Sequence, residues 1–327
     1  MIFLYILALV AGFAALIKGA DFFVDGSASL ARIFRVPAMI VGLTIVAMGT
    51  SAPELAVSTL AAIEGSNEIA LSNVVGSNVF NILMVLGVCA VVRPIPVNEK
   101  VLRKDFTVVL LPTVAVFLLL GGWKLFGGEW MRAEMGSFVS VVTRPMALCL
   151  LAVFAGYIYL LTRQAKKARR EEENSFGVQM SKGKCAALIL IGVAMIVAGG
   201  QAVVWSAKEI ARTLGMTETL IGLTVVSVGT SLPELVTSLV AARKQETELA
   251  VGNVIGSNIF NMMMILGVSA AIHPVAVNVA SLWDMLILTV ITVMTWIFAA
   301  AGKKINRAEG IGMVAVYAAF VAFAIIR

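Results

Sequence analysis

Two segments of this chain, 180 residues apart, have closely similar sequences. Residues 42–97 align with residues 222–277 without a gap, and 29 of the 56 aligned pairs are identical. The first copy contains GTSAPE followed by GSNVFN, and the second contains GTSLPE followed by GSNIFN. Internal symmetry of this kind indicates a duplication. Any fold proposed for the chain must therefore contain the same unit twice.

The composition excludes an ordinary water-soluble domain. Hydrophobic residues make up 60% of the chain and charged residues only 13%, and the mean hydropathy is +0.98. Soluble domains average about 25% charged residues. At about 20 residues for each membrane-spanning helix, the length accommodates about 10 spans with short connections. The sequence predicts a multi-pass integral membrane protein whose function lies within the bilayer.

Apolar runs bounded by charged residues or by Gly and Pro predict five spans in each half. They lie near residues 2–31, 38–63, 68–92, 106–121 and 145–162, and near 183–211, 218–242, 248–272, 283–301 and 310–326. Because five is an odd number, the second copy crosses the membrane in the opposite sense to the first. The predicted fold is an all-α membrane protein with ten transmembrane helices in two inverted five-helix repeats. The repeats are residues 1–163 and 183–327, joined by a cytoplasmic linker at 164–182.

The basic residues predict the orientation. In this topology most of the 25 Lys and Arg residues fall on connections that share one side of the membrane. The positive-inside rule makes that side cytoplasmic and places both termini outside. The run KKARREEE, Lys166 to Glu173, is then interpreted as a solvated cytoplasmic loop and not as a nucleic-acid-binding patch. We expect the lipid bilayer as the surroundings, no nucleic-acid partner and no obligatory protein partner.

Two carboxylates lie in the middle of predicted spans. Glu54 and Glu234 each follow a proline, Pro53 and Pro233. A carboxylate near the bilayer centre costs at least about 2.5 to 3.5 kcal/mol. Proline removes an amide donor and interrupts the helix, and the freed carbonyls are tolerated only where they line a polar cavity. The sequence predicts that helices 2 and 7 are broken at these points.

The same Ser-x-x-Glu spacing is also that of a helix capping box. In that interpretation Ser51 and Ser231 are ordinary N-terminal caps and the glutamates are their partners. Capping alone does not explain why a helix should begin inside an apolar span, or why the pattern recurs in both halves. We therefore favour an ion-binding interpretation, with which a capping geometry remains compatible.

The second motif predicts a polar stripe along an apolar helix, because residues four apart lie on one helical face. The stripe comprises Asn73, Ser77 and Asn81 in the first half and Asn253, Ser257 and Asn261 in the second. Small polar residues also form hydrogen bonds between membrane helices. That packing role is as good an explanation as ion binding for four asparagines, namely Asn73, Asn78, Asn253 and Asn258.

The combined oxygen donors indicate the class of ligand. Two carboxylates, hydroxyls, amide oxygens and freed main-chain carbonyls form a set without sulfur or imidazole. A formal charge of −2 matches one dehydrated Ca²⁺, which takes six to eight oxygens at about 2.3 to 2.6 Å. Several Na⁺ ions could share the same oxygens, and such competition is what an exchanger requires. We predict a secondary active antiporter, not an enzyme, with no catalytic residue and no cofactor.

The paired motifs resemble the two alpha repeats of the calcium/cation antiporter superfamily, and the whole chain is similar to the prokaryotic sodium/calcium exchangers. The resemblance implies a compact core of helices 2, 3, 7 and 8, past which the long first and sixth helices slide to alternate access. It implies that Glu54 and Glu234 are the central calcium ligands, helped by the carbonyls of Thr50 and Thr230. It also implies flanking sodium sites around Ala47, Ser51 and Ser77 and around Ser227, Ser231 and Ser257, with Asn81 and Asn261 in the middle. Some members of the family carry Asp where this chain has Asn261.

The predicted function is the exchange of Na⁺ for Ca²⁺ by alternating access in a prokaryotic plasma (inner) membrane. Exchange of H⁺ for Ca²⁺ or another divalent cation, with the two glutamates protonated in turn, is the nearest alternative. A channel would conduct without dependence on a counter-ion. A membrane scaffold that transports nothing would be indifferent to loss of either glutamate.

Overall fold

The structure is a computed structural model that describes residues 2–65, 67–97, 104–125, 134–171, 180–216 and 227–326. The helices are α1 (Ile2–Phe34), α2 (Ala38–Thr50), α3 (Ala52–Ile63), α4 (67–92), α5 (Phe106–Leu119), α6 (Arg144–Glu171), α7 (Lys182–Thr213), α8 (Ser227–Thr230), α9 (Leu232–Arg243), α10 (Thr247–Ile272), α11 (Val279–Gly302) and α12 (Arg307–Ile326). The strands are β1 (Ile95–Pro96), β2 (Phe138–Val142), β3 (Val275–Asn278) and β4 (Lys304–Ile305). A short 3₁₀ helix covers Gly122–Leu125.

Within these described residues, seven helices are long and apolar enough to cross a membrane, and the bent pair α2 and α3 makes up to eight. The chain is therefore an all-α, multi-pass membrane protein, as predicted. Helix α5 is apolar but shorter. The predicted span at 218–242 begins outside the described residues, which resume at Ser227.

One predicted boundary is wrong. The helix expected at 145–162 continues as α6 to Glu171, so the first part of the predicted cytoplasmic loop is helical. Lys, Arg, Gln and Glu are strong helix formers, and a chain leaving the membrane can remain helical through them. The apolar run ends near residue 162, whereas the helix ends several residues later, at Glu171.

The predicted break in the second span is present. Helices α2 and α3 meet at an angle of 50°, and Ser51 between them has φ −84° and ψ 10°. Ser231 separates α8 from α9 with nearly the same backbone, φ −94° and ψ 5°. Pro53 and Pro233 each lie in the first turn of the helix that follows, where the missing N–H leaves no hydrogen bond unmade. Each break therefore starts a new helix just before a glutamate.

Helices α1 and α7 pack antiparallel through small residues spaced seven apart. A Cβ added to Gly19 would lie 2.7 Å from Met195 Cβ, and one added to Gly192 would lie 2.7 Å from the main-chain nitrogen of Phe23. At one end of the contact, Cys185 Sγ donates a hydrogen bond to the carbonyl of Gly26 at 3.0 Å. The series is Gly12, Gly19 and Gly26 on α1 against Gly199, Gly192 and Cys185 on α7. The two backbones approach closely along most of their length.

We expect Gly192→Ala to destabilise the protein. The added methyl group meets main-chain atoms of α1, which cannot rotate away, and overpacking of this kind costs about 1 to 3 kcal/mol. Thermal unfolding in detergent measures the loss as a lower melting temperature. Gly156→Ala in α6 is the control, because a Cβ there has no heavy atom within 4 Å. Equal melting temperatures for both variants would contradict the close packing.

Helices α4 and α10 form the centre of the protein. In each of them 78% of the most apolar 18-residue stretch is buried inside the protein. The corresponding share is 17 to 33% in the other long helices that could span the membrane. Helix α2 crosses α10 so closely that a Cβ on Gly42 would lie 2.7 Å from the carbonyl of Leu249. A Cβ on Gly252 would lie 2.7 Å from the carbonyl of Met39. The duplicated segments thus pack directly against each other.

Two short antiparallel ribbons connect the halves. Strand β1 pairs with β4, with Ile95 opposite Ile305. Strand β2 pairs with β3, with Val142 opposite Val275, and has an irregularity between Phe138 and Ser140. Each ribbon takes one strand from the first half of the chain and one from the second.

Ion pairs join α1 to the turn between α9 and α10. Lys244 Nζ lies 2.8 Å from Asp25 Oδ1 and 3.3 Å from Asp21 Oδ1, and Arg32 Nη2 lies 2.7 Å from Glu246 Oε1. Burial lowers the pKa of Lys244, but the hydrogen bonds and charges of Asp25 and Asp21 outweigh it and raise the pKa above 10.5. Lys244 therefore remains charged at neutral pH.

Candidate cation site

The two glutamates lie in the first turns of the helices that follow the breaks. Glu54 is in the first turn of α3 and Glu234 in the first turn of α9, and neither side chain is exposed. The first turn of a helix has backbone N–H groups without intrahelical partners, and its dipole favours negative charge. The breaks therefore place both carboxylates where the main chain stabilises them.

Each glutamate accepts a hydrogen bond from a serine of the other half. Ser51 Oγ donates to Glu234 Oε1 at 2.7 Å, and Ser231 Oγ donates to Glu54 Oε1 at 3.0 Å. Both serines occupy the residue before a helix, but neither side chain makes a capping hydrogen bond. The capping box does not form, and each hydroxyl donates to a carboxylate of the opposite half. The two breaks are thus held against each other.

The serines of the polar stripes also contact the opposite half. Ser77 Oγ lies 2.8 Å from Ser231 Oγ and donates a longer bond, of 3.4 Å, to Glu54 Oε1. Thr50 Oγ1 donates to Asn253 Oδ1 at 3.0 Å and lies 3.5 Å from Ser257 Oγ. Hydroxyls from both stripes therefore surround the meeting point of the two breaks.

Several buried polar side-chain atoms at this point have no hydrogen-bond partner. Within the described part of the chain they include Oε2 of both glutamates, Oδ1 of Asn261 and both polar side-chain atoms of Asn81. No described Lys or Arg forms an ion pair with either glutamate. Burying an unpaired charge is costly. The arrangement is chemically suited to a cation, which would compensate both carboxylates at once.

The remaining predicted residues occupy different surroundings. Ala47 is buried, and its carbonyl accepts hydrogen bonds from the Ser51 N–H at 3.0 Å and from Thr50 Oγ1 at 3.3 Å. Thr230 is buried directly before the second break. Ser227 is the first residue of α8, and its side chain lies outside the described part of the structure.

The two outermost asparagines of the stripes bind serines of the adjacent helix. Asn73 Nδ2 donates to Ser58 Oγ at 2.9 Å, and Asn253 Nδ2 donates to Ser238 Oγ at the same distance. This is the packing role that remained open from the sequence. Ser58 and Ser238 themselves were not predicted, although their signal was present: each follows a glutamate by four residues, and the pair recurs at the offset of 180.

Comparisons with known proteins place the chain in a family. The family described as sodium/calcium exchanger protein matches residues 4–163 and 184–326. Sodium/calcium exchanger MaX1 of Methanosarcina acetivorans is 31% identical over 98% of both chains. Inner membrane protein YrbG of Escherichia coli is 35% identical over 81% of this chain and 79% of that protein.

A solved structure shows the same architecture. A structure of the sodium-calcium exchanger NCX_Mj, soaked with 10 mM Na⁺ and zero Ca²⁺, superposes with a TM-score of 0.82. It has 31% sequence identity, and the match covers 100% of both chains. The family model spans both duplicated segments, which confirms the resemblance expected from the paired motifs. The chain belongs to the sodium/calcium exchanger protein family, within the calcium/cation antiporter superfamily.

Proposed function

We propose that this protein exchanges Na⁺ for Ca²⁺ across the membrane by alternating access, and that both ions bind where Glu54 and Glu234 meet. The observation that carries the proposal is the crossed pair of serine–glutamate hydrogen bonds, which places each buried carboxylate beside the helix break that precedes the other. Each carboxylate keeps one oxygen without a donor. A pair of negative charges in a membrane interior needs a counter-charge, and a transported cation supplies it.

The donor set supports competition between the two ions. A hydroxyl that donates its proton to a carboxylate still has lone pairs for a metal ion. Ca²⁺ would take the two glutamates and the main-chain carbonyls of Thr50 and Thr230. Sodium ions would take the flanking donors, which are Ala47, Ser51 and Ser77 on one side and Ser227, Ser231 and Ser257 on the other. The amides of Asn81 and Asn261 would complete the middle of the site.

The proposed topology is ten spans in two inverted repeats, residues 1–163 and 183–327, with a cytoplasmic linker at 164–182 and both termini outside. Contacts that recur at the offset of 180 support a two-fold relation. The bond from Asn73 to Ser58 is repeated between Asn253 and Ser238. We place the protein in a prokaryotic plasma (inner) membrane, in keeping with the name of its relative from Escherichia coli, inner membrane protein YrbG.

Flux through proteoliposomes tests the ion coupling. We expect ⁴⁵Ca²⁺ to accumulate in Na⁺-loaded vesicles diluted into Na⁺-free buffer, and to stop accumulating when Na⁺ is equal on both sides. Imposed K⁺ and H⁺ gradients, varied separately, are the controls. Uptake driven by a pH gradient alone would replace Na⁺ coupling with proton coupling. Uptake that needs no counter-ion gradient would indicate a channel.

A further inference from the structure

Asn78 and Asn258 lock together at the contact between α4 and α10. Asn78 Nδ2 donates to the main-chain carbonyl of Asn258, and Asn258 Nδ2 donates to the main-chain carbonyl of Asn78, both at 3.3 Å. Both residues are 1% exposed. A main-chain carbonyl only accepts hydrogen bonds, so each side chain must present its NH₂ group to the other backbone. The orientation of both amides is thereby fixed.

The fixed amide of Asn78 orients a second asparagine. Its Oδ1 accepts a hydrogen bond from Asn261 Nδ2 at 3.1 Å, and the same Nδ2 donates to Ser77 Oγ at 3.2 Å. Both hydrogens of the Asn261 amide are therefore used. Its Oδ1 is left buried and without a hydrogen-bond donor, next to a serine that contacts Glu54. The Asn261 side-chain carbonyl therefore has a fixed orientation before any ion binds.

The repeat-related contact is not made. By the offset of 180, Asn258 Oδ1 should accept from Asn81, but Asn258 Oδ1 has no partner and neither polar atom of the Asn81 side chain has one. Both asparagines of this pair are described, and both are buried. The two halves of the site thus differ at their centre, although their polar residues there are the same.

We propose that Asn78 is a positioning residue, which holds Asn261 as a preoriented carbonyl ligand of the cation, while Asn258 leaves Asn81 unheld. The inference rests on the proposed function of the site in binding a cation. A ligand that is already oriented loses less conformational freedom when the ion binds. An Asn261 side chain held by Asn78 therefore contributes more to Ca²⁺ affinity than one that is free to rotate.

Two matched variants separate positioning from packing. Asn78→Ala and Asn258→Ala each lose one amide-to-carbonyl bond of equal length, but only Asn78→Ala removes the acceptor for Asn261. We expect Asn78→Ala to raise the Kd of the purified protein for ⁴⁵Ca²⁺ by about tenfold, as for loss of one buried hydrogen bond. We expect Asn258→Ala to change it by less than about twofold, with similar falls in melting temperature for both. Equal changes in Kd would overturn the proposal.

A double-variant test addresses the route of the effect. If Asn78 acts through Asn261, adding Asn78→Ala to Asn261→Ala produces no further loss of Ca²⁺ affinity, whereas an additive loss would contradict the proposal. Should an alanine variant fail to fold, Asn78→Ser and Asn258→Ser make the same comparison.

Equilibrium binding of Ca²⁺ can be measured independently of coupling to Na⁺. Ca²⁺ binding without Na⁺-driven flux would overturn the proposed exchange alone, and no Ca²⁺ binding by the wild type would overturn both.

Discussion

Glu234→Gln is expected to reduce Na⁺-driven Ca²⁺ transport by at least about 100-fold. The substitution keeps the size of the side chain and an oxygen that can accept the Ser51 hydrogen bond, so it removes little other than the charge. Two unit charges about 4 Å apart interact by about 4 kcal/mol at the effective dielectric constant of 20 that suits protein sites. A loss of about 1.4 kcal/mol already lowers affinity tenfold. Removing half of the formal charge should therefore abolish useful Ca²⁺ binding.

The measurement is initial ⁴⁵Ca²⁺ uptake by proteoliposomes with an outward Na⁺ gradient. Glu248→Gln is the control, because Glu248 is exposed in the first turn of α10 and lies in the same half of the chain. We expect its uptake to match the wild type. Glu54→Gln should behave like Glu234→Gln. Transport at the wild-type rate by either glutamine variant would show that the carboxylates do not bind the transported ion.

Ser51→Ala is expected to weaken Ca²⁺ binding by about 10- to 100-fold. The Ser51 hydroxyl donates the 2.7 Å bond to Glu234, and hydrogen bonds to charged groups contribute about 1.5 to 3 kcal/mol. Alanine leaves Oε1 of a buried carboxylate without this donor and takes one hydroxyl oxygen away from the site. Both effects act on the same cation.

Ser27→Ala is the control for this variant. Ser27 is as fully buried as Ser51, but its hydroxyl lies in α1 and has no hydrogen-bond partner. We expect Ser27→Ala to leave both the Kd for ⁴⁵Ca²⁺ and the uptake rate close to those of the wild type. If Ser51→Ala binds Ca²⁺ as tightly as Ser27→Ala does, the crossed hydrogen bond has only a structural role.

Most helices of the fold could be predicted from the sequence, because a membrane helix appears there as a long apolar run. The ends of those helices were predicted less accurately. Helix α6 continues to Glu171 through charged and polar residues that follow the apolar run and still favour helix. Apolar length measures the thickness of the hydrocarbon, whereas helix length also depends on the propensity of the charged residues beyond it.

The residues of the candidate site were predictable, but their pairing was not. Glu54 and Glu234 stood out because membrane spans exclude carboxylates. The partner of Glu234 is Ser51, which is 183 residues away along the chain, and no local pattern encodes that contact. A local rule even suggested a different partner for Ser51. The capping bond, in which the Ser51 oxygen would accept from a backbone N–H, does not form, and the Ser51 hydroxyl instead donates to the carboxylate of Glu234.

Ion pairs outside the site show the same limit. Asp25 lies inside the predicted span at 2–31 and pairs with Lys244, which is 219 residues later and follows the predicted span at 218–242. Asn78 is a related case. Its role depends on a main-chain carbonyl of the other half, and the residue type alone left packing and ion binding equally open.

The two β-ribbons bear on how such a protein could arise. Strand β1 finds its partner in the second half of the chain and so does β2, so a half on its own would expose two unpaired strand edges. Unpaired edges tend to associate with other chains. A single-copy ancestor would then have paired these strands only as a dimer. Gene fusion would have made that association permanent, and would have freed the two copies to diverge.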